Sequence, residues 1–150
     1  MKTTWIVLAE SARARIFTLT EPGAKLRERT TLSHPESRLH DRELTSDLPG
    51  RTFDSHGQGR HAMEQRHDPK SHEAEMFAAD IAREIERARR DEGFDALVLV
   101  APPKFLGLLR AQLDEGVLEL VVAEIGKNLV ESDVKTLERR LPELVREARG

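Results

Sequence analysis

The sequence predicts a mixed α/β fold, and three observations support that prediction. Three short β-type runs follow one another before residue 34, a helix-type pattern spans about residues 69–91, and strand-type and helix-type segments alternate after it. A chain of 150 residues with 38% hydrophobic content is the size of one domain. We therefore expect a single mixed-sheet domain over residues 1–150, in the order βββ, long loop, αβαβα.

The first 33 residues predict a three-stranded antiparallel meander. Residues 4–9 (TWIVLA) are a continuous apolar run that includes Trp5 as a core residue, and residues 13–20 (RARIFTLT) alternate in character. Residues 10–12 are a short connection, and residues 21–24 (EPGA) have turn chemistry. The third strand, residues 26–33 (LRERTTLS), is charged enough to be an edge strand.

Between the meander and the long helix, at about residues 34–70, the hydrophobic pattern disappears. All six histidines of the chain lie between His34 and His72, where six Lys or Arg face seven Asp or Glu. Loops of this length in compact domains are usually either functional or disordered. We therefore expect this loop to carry the function of the protein.

The second half predicts alternating helices and buried strands. Asp68 and Pro69 suit the N-cap and first position of a helix that runs to about residue 91 and ends at Gly93. Its core-facing stripe has helical spacing and comprises Ala74, Phe77, Ala78, Ile81, Ile85 and Ala88. Residues 95–101 (DALVLVA) predict the central strand of the sheet, covered on both faces.

Three further elements follow that strand. Residues 104–113 predict a short apolar helix, and residues 118–125 predict another buried strand. Ser132 is expected to cap a last helix that Pro142 kinks or restarts. Its inward residues are expected to be Val134, Leu137, Leu141, Leu144 and Val145.

Composition excludes several classes of function. A net charge of −3 and a pI near 6.1 argue against a protein that coats nucleic acid, and no DNA partner is expected. The absence of cysteine excludes disulfides and thiolate chemistry and suits a reducing compartment. No apolar run fits a secretory signal or a membrane span, so we expect a cytoplasmic protein with no membrane partner. The oligomeric state stays open.

The most distinctive motif of the loop is Gly57-Gln58-Gly59. Glycine permits positive φ and close approach of the backbone to a partner. A glutamine amide has no useful pKa, so Gln58 can only orient a water or donate an N–H to a developing oxyanion. The motif therefore favours ester hydrolysis by positioning, and the alternative is a flexible loop without chemistry.

Three stretches carry a resemblance to known proteins: DLPGRTFDSHGQGRHAME, the helix start DPKSHE, and DALVLVAPPKFLGLLR. They resemble the bacterial host-attachment proteins from end to end. Over about residues 4–113 the chain is also similar to the catalytic middle domain of archaeo-eukaryotic peptide release factors. That resemblance implies an RNase-H-like α/β fold. It also implies a loop that enters the ribosomal peptidyl-transferase centre, where its Gly-Gln tip helps water to cleave peptidyl-tRNA.

The resemblance assigns candidate catalytic residues. Gly57 and Gln58 fall on the second glycine and the glutamine of the release-factor motif, whereas His56 stands where its first glycine would be. A residue with a Cβ narrows the backbone choices there, and Gly59 can partly compensate. The chain has no room for the codon-reading domain of a release factor, so it is not expected to decode stop codons.

Two readings of the same loop therefore stand, together with a third class of function. The loop is either the tip of a peptidyl-tRNA hydrolase or part of a non-catalytic ribosome- or tRNA-binding module. The third class, an interaction protein connected with surface attachment, follows only from the name of the host-attachment family.

Basic groups around the tip are candidates for RNA contact. They are Arg51, His56, Arg60, His61, Arg66 and Lys70, with His67 and His72 as further donors. Because acidic residues balance them, any contact with phosphates must be local and salt-sensitive. The alternative is a solvated polar loop with internally paired charges.

No metal or cofactor is predicted. His56, His61, His67 and His72, with Asp54 and Asp68, have ligand chemistry, but their spacing matches no standard motif. A nuclease would need acidic residues at strand ends for Mg²⁺, for which the nearest candidates are Glu10, Asp95 and Asp133. Pro102, Pro103 and Lys104 follow the central strand, where they form either part of a ligand site or a tight turn.

Overall fold

Five strands form one mixed sheet in a computed structural model that describes residues 2–20, 25–34 and 69–149. The strands are β1 (Thr4–Ala9), β2 (Arg13–Leu19), β3 (Arg27–Ser33), β4 (Ala96–Val100) and β5 (Val121–Ile125). Their order across the sheet is β3-β2-β1-β4-β5. The antiparallel meander of β1, β2 and β3 is confirmed, and the charged strand β3 lies at an edge as predicted.

The strand β1 occupies the middle of the sheet and sets the direction of its neighbours. It pairs antiparallel with β2, where Val7 lies opposite Ile16, and parallel with β4, where Val7 lies opposite Leu99. The prediction that residues 95–101 form the central strand is therefore wrong in position, because β4 lies between β1 and the edge strand β5. Its burial on both faces is confirmed, since every residue of β4 is buried.

Four helices accompany the sheet in the described part of the chain. They are α1 (Pro69–Asp91), α2 (Pro103–Gln112), α3 (Glu115–Leu118) and α4 (Val134–Arg149). The bounds of α1 agree with the sequence prediction. Gly93 follows α1 with a φ of +77°, and its N–H donates to the Ala88 carbonyl at 2.9 Å, so this glycine ends the helix as predicted.

One face of the sheet is covered by α1 and α2. The predicted stripe of α1 is buried in full, and Phe77, Ile81 and Ile85 have no exposed surface. The stripe belongs to the same core cluster as Trp5. The Trp5 ring stacks on the Phe94 ring, with the ring centroids 5.5 Å apart. The larger core therefore lies between α1, α2 and this face of the sheet.

The opposite face is covered by α4 alone among the described helices. Leu137, Leu141 and Leu144 of α4 pack on a cluster that includes Leu8 and Val100. Of the five inward residues predicted for this helix, Val134 and Val145 are only partly buried. Among the described residues, this one helix leaves part of the face uncovered, and a cleft lies there between the helix and the sheet.

Three sequence predictions for the second half are wrong in detail. The strand expected at residues 118–125 begins only at Val121, because the Asp114 carboxylate accepts the Val117 N–H at 2.9 Å and starts the short helix α3. Asp133, not Ser132, caps α4: its carboxylate accepts the Thr136 N–H at 2.7 Å. The helix α4 does not restart at Pro142, which lies inside it, and the alternative of a kink at Pro142 stays a prediction.

The cap of α4 gives a pH-dependent prediction. The Thr136 N–H holds the pKa of the Asp133 carboxyl below its ordinary value of 3.8. Its stabilising contribution is therefore complete above pH 3.8 and is lost as the pH falls through the lower pKa of the folded state. Urea unfolding followed by the fluorescence of the single tryptophan, Trp5, should show Asp133→Ala unfolding at lower urea at pH 7, with the difference shrinking toward pH 3.

Asp133→Asn is the matched control, because its side-chain oxygen can still cap the helix without the charge. It should retain most of the stability that Asp133→Ala loses at pH 7. An alanine variant as stable as the wild type at pH 7 would contradict the assignment of this cap.

Candidate functional site

The carboxyl ends of the parallel strands define the candidate site. The strands β1, β4 and β5 run in the same direction and end at Ala9, Val100 and Ile125, and we call the edge where they end the carboxyl edge. Open α/β sheets place ligands outside this edge, where the loops that follow the strands converge. The strand β3 also runs toward it, because β2 is antiparallel to both β1 and β3.

Residues 35–68, which contain the predicted loop tip, connect two points at the carboxyl edge. They follow His34, the first residue after β3, whose backbone N–H donates to the Ala12 carbonyl at 2.9 Å in the β1–β2 connection. They precede Pro69, the first residue of α1. We call residues 35–68 the connecting segment.

A side-chain pair joins the two ends of the connecting segment. His34 Nε2 and Glu73 Oε1, in the first turns of α1, are 2.5 Å apart, and only 8% of His34 is exposed. A hydrogen bond between a ring nitrogen and a carboxylate is a strong one, and partial burial strengthens it further. The start and the end of the connecting segment are therefore held together by a contact across 39 positions of sequence.

Aromatic rings extend this contact to the end of β4. The His34 ring lies 5.6 Å from the Phe77 ring, and the Phe77 ring lies 6.1 Å from that of Phe105 in α2, measured between centroids. We call His34, Glu73, Phe77 and Phe105 the anchor cluster. It ties the connecting segment to the turn that follows β4.

The turn after β4 is tight, in agreement with the sequence interpretation of Pro102 and Pro103 as a tight turn. Pro102 takes the N-cap position of α2 and Pro103 its first position, with no side-chain capping bond. A Cβ added to Gly126, after β5, would lie 3.3 Å from Pro103 Cγ, so the turns after β4 and β5 approach closely. Lys104 is exposed beside them and remains available to a ligand.

Arginines at the carboxyl edge bind the protein itself on the α4 side of the sheet. Arg13 Nη2 and Arg15 Nη1 donate to the Val130 carbonyl at 3.0 and 2.8 Å. Arg15 also donates to the Ser132 carbonyl at 2.7 Å and pairs with Glu28 at 3.0 Å. These two guanidinium groups hold the β5–α4 connection in place through bonds to its backbone carbonyls.

The predicted site residues of the loop lie outside the described residues. This applies to Arg51, His56, Gly57, Gln58, Gly59, Arg60, His61 and Arg66, and to the side chain of Lys70, whose backbone belongs to α1. Their roles therefore stay predictions. What the structure adds is the place where the connecting segment leaves and rejoins the fold.

The nuclease alternative is wrong for the residues it named, all of which are described. Because β1 and β4 are parallel, Glu10 after β1 and Asp95 before β4 lie at opposite edges of the sheet. Glu10 accepts the Ala12 N–H at 2.9 Å, Asp95 accepts the Thr3 N–H at 2.8 Å, and Asp133 caps α4. Within residues 2–20, 25–34 and 69–149, no three potential ligands come together to hold a metal.

The sequence analysis did not identify the anchor pair of His34 and Glu73. A signal was present, since one residue directly follows a predicted strand and the other lies four residues into a predicted helix, on either side of the same loop. Neither residue belongs to a recognisable motif. Their pairing depends on β3 and α1 meeting at one edge, which spacing alone does not reveal.

The comparison with known families covers the elements that build this edge. A family model described as "Protein required for attachment to host cells" matches residues 5–141. The chain belongs to this family. The match confirms the predicted resemblance to host-attachment proteins, and we call the group the attachment family below.

One curated relative shares a shorter stretch with this attachment-family chain. It is an uncharacterized protein of Rickettsia prowazekii (strain Madrid E), 39% identical over 46 residues. The match spans 31% of this chain and 31% of the relative, so it covers less than a third of either protein. No helix in the described part of the chain is both long and apolar enough to cross a membrane.

The anchor pair should contribute to stability. Glu73→Ala removes a carboxylate that is 17% exposed from its bond to His34, and such losses cost about 1–3 kcal/mol. The free energy of unfolding in urea, followed by Trp5 fluorescence, measures the effect. Glu75→Ala, at an exposed position of the same helix, is the matched control and should change it by less than about 0.5 kcal/mol. Equal effects of the two substitutions would refute the anchoring role.

Proposed function

We propose that this attachment-family protein acts on the ribosome or on tRNA, with the connecting segment as its contact element and peptidyl-tRNA ester hydrolysis as its candidate reaction. One observation carries the proposal. Both ends of the segment that contains Gly57-Gln58-Gly59 are held at the carboxyl edge of the sheet, where α/β folds place ligand-binding loops. The release-factor resemblance supplies the substrate class.

The length of the connecting segment suits insertion into a narrow cavity. Ten positions separate Gly59 from Pro69. An extended backbone of that length would carry the tip at most about 35 Å from the start of α1. A loop tip that reaches an ester bond inside a large RNA assembly needs this kind of reach from a fixed base.

The proposed chemistry needs no ionisable group on Gln58. Its side-chain amide orients a water, whose oxygen attacks the ester carbonyl of peptidyl-tRNA, and a backbone or amide N–H stabilises the resulting oxyanion. The C–O bond to the tRNA ribose then breaks, and the ribose oxygen leaves with a proton from the attacking water. The products are a peptide carboxylic acid and a free tRNA hydroxyl.

Binding to RNA would depend on the connecting segment and on Lys70 at the start of α1. The candidate phosphate contacts are Arg51, His56, Arg60, His61, Arg66 and Lys70. The body supplies few alternatives at the carboxyl edge, because Arg13 and Arg15 bond to internal carbonyls. With a net charge of −3, the protein would bind RNA weakly at high salt.

The same proposal extends to fold family and location. A meander of three antiparallel strands, followed by helices that alternate with parallel strands, supports an RNase-H-like domain over residues 1–150. Action on translation would place the protein in the cytoplasm. The lack of cysteine suits that compartment.

Peptide release from purified ribosomes tests the proposal. Ribosomes that carry a labelled peptidyl-tRNA are incubated with the wild type, with Gln58→Ala, and with Gln65→Ala as a matched control in the same segment. The wild type and Gln65→Ala should release peptide, whereas Gln58→Ala should lose about 100-fold or more, the scale of a lost oxyanion donor.

Co-sedimentation in the same samples separates catalysis from binding. If no variant releases peptide but all pellet with ribosomes, the protein is a binding module without hydrolase activity. If none releases peptide and none pellets, the ribosomal proposal fails.

The family description favours a second candidate, a direct role in surface attachment. The two candidates differ in where the protein meets its partner. A membrane-impermeant amine reagent applied to intact cells should leave the protein unlabelled if it acts on translation, although exposed lysines such as Lys2, Lys25 and Lys104 should react in a lysate. Labelling on intact cells would support attachment instead.

A further inference from the structure

A cleft of about 970 Å³ opens between the sheet and α4. It lies at the amino edge, where the parallel strands begin, because its walls include Thr4 of β1, Ala96 of β4 and Val122 of β5. Its volume is at the upper end of the range for small-molecule sites. The anchor cluster lies at the opposite edge, so the cleft is separate from the site described above.

The cleft exists because α4 only partly covers its face of the sheet. The first half of α4 packs tightly through Leu137 and Leu141 in the core cluster of that face. Toward its end the helix passes over small side chains, such as Thr4 and Ala96, which do not fill the space. Pro142 and Val145 form the helical wall there.

Most of the cleft wall is hydrocarbon. Its apolar side chains include Ile6, Leu19, Val98, Leu141 and Val145. No described residue that lines the cleft is aromatic, and none carries an amide or an imidazole. Groups that stack on a nucleobase or read its edges are therefore missing from the described wall.

Four cations surround this apolar wall. Lys2 and Lys25 come from the segments before β1 and β3, and Arg146 and Arg149 come from the end of α4. None of the four makes an ion pair with a residue that the structure describes. The single acidic side chain in the described wall, Glu138, accepts the Leu26 N–H at 2.9 Å.

The helix alone does not explain this arrangement. Arginines in a last turn stabilise a helix by compensating its dipole, which accounts for Arg146 and Arg149. It does not account for Lys2 and Lys25, which belong to other segments and meet the arginines only through the fold. The apolar wall favours a hydrocarbon chain, and the four positive groups around it favour a negative charge. A ligand with both features is an anion with a long apolar chain.

We propose that the cleft binds a long-chain carboxylate, with the hydrocarbon chain against the apolar wall and the carboxylate among the four cations. Burial of the chain supplies most of the affinity, because each methylene group removed from water adds to it. The four cations select a negatively charged head group. Because they are exposed, salt screens their attraction to the carboxylate and weakens binding. No covalent step is involved.

Titration calorimetry on the full chain tests the proposal with three probes. Sodium dodecanoate, below its micelle concentration and in 50 mM salt, should bind at one site per chain. Acetate has the charge without the chain and should bind at least about a hundredfold more weakly. Dodecyltrimethylammonium has the same chain with the opposite charge and should also bind more weakly. Dodecanoate that fails to bind, or binds no better than the other two, would overturn the proposal.

Paired variants test the role of the rim. Lys25→Gln with Arg146→Gln should weaken dodecanoate binding roughly three- to tenfold, the effect of one or two exposed ion pairs. Lys104→Gln with Arg140→Gln is the control, since both are exposed cations outside the cleft wall. An equal loss in both pairs would show a general charge effect and refute a site at the rim.

A variant that fills the cleft with a larger side chain tests whether the hydrocarbon chain of the ligand binds there. Val145→Phe should abolish dodecanoate binding with an unchanged far-ultraviolet circular dichroism spectrum, and undiminished binding by this variant would place the ligand elsewhere. Flotation with phosphatidylglycerol vesicles distinguishes a free carboxylate from a lipid surface. Binding to vesicles without binding of dodecanoate would replace the proposed ligand with a membrane.

Discussion

The parallel pairing of β1 with β4 is the constraint on which the rest of the structure depends. Antiparallel neighbours can be joined by short turns, but a parallel partner requires the chain to travel back along the sheet first. Here β3 delivers the chain to the carboxyl edge, and α1 carries it back to the start of β4, where the Asp95 N–H donates to the Thr3 carbonyl at 2.8 Å. The connecting segment therefore has to begin and end at the carboxyl edge.

The two edges of the sheet have opposite character as a result. At the carboxyl edge, polar side chains are engaged in bonds that fix connections, such as Arg15 to Val130 and Glu73 to His34. At the amino edge, apolar walls and four cations without ion pairs to described residues surround an open cleft. The single helix α4 spans both, because its capped start lies after β5 and its last turn lines the cleft.

Much of the fold could be predicted from local pattern. The bounds of β1 and α1 agree with the sequence prediction. The continuous apolar run of β1 is a strong local signal, and so are the proline that begins α1 and the glycine that follows it. The start of β5 could not be predicted, since residues 117–122 (VLELVV) suit a helix or a strand equally well. Only the bond from the Val117 N–H to Asp114 decides that α3 comes first.

Only those parts of the candidate site that consist of neighbouring residues in the sequence could be predicted. The Pro102-Pro103 turn and the motif around Gln58 can be recognised from a few neighbouring residues. The motif around Gln58 lies outside the described residues. The bond between His34 and Glu73 could not be foreseen, because it joins residues 39 positions apart and has no periodic signature. The cleft under α4 is equally non-local, since Lys25 and Arg146 meet only in the folded chain.

The anchor cluster also has an evolutionary consequence. Contacts with Glu73 and Phe77 hold His34 next to α1, so the two ends of the connecting segment are fixed close together. Closing a loop costs entropy only as the logarithm of its length, so even a doubling adds only about 0.6 kcal/mol. The length between residues 35 and 68 can therefore change at a small entropic cost, which gives one scaffold a route to new partners through a single stretch of sequence.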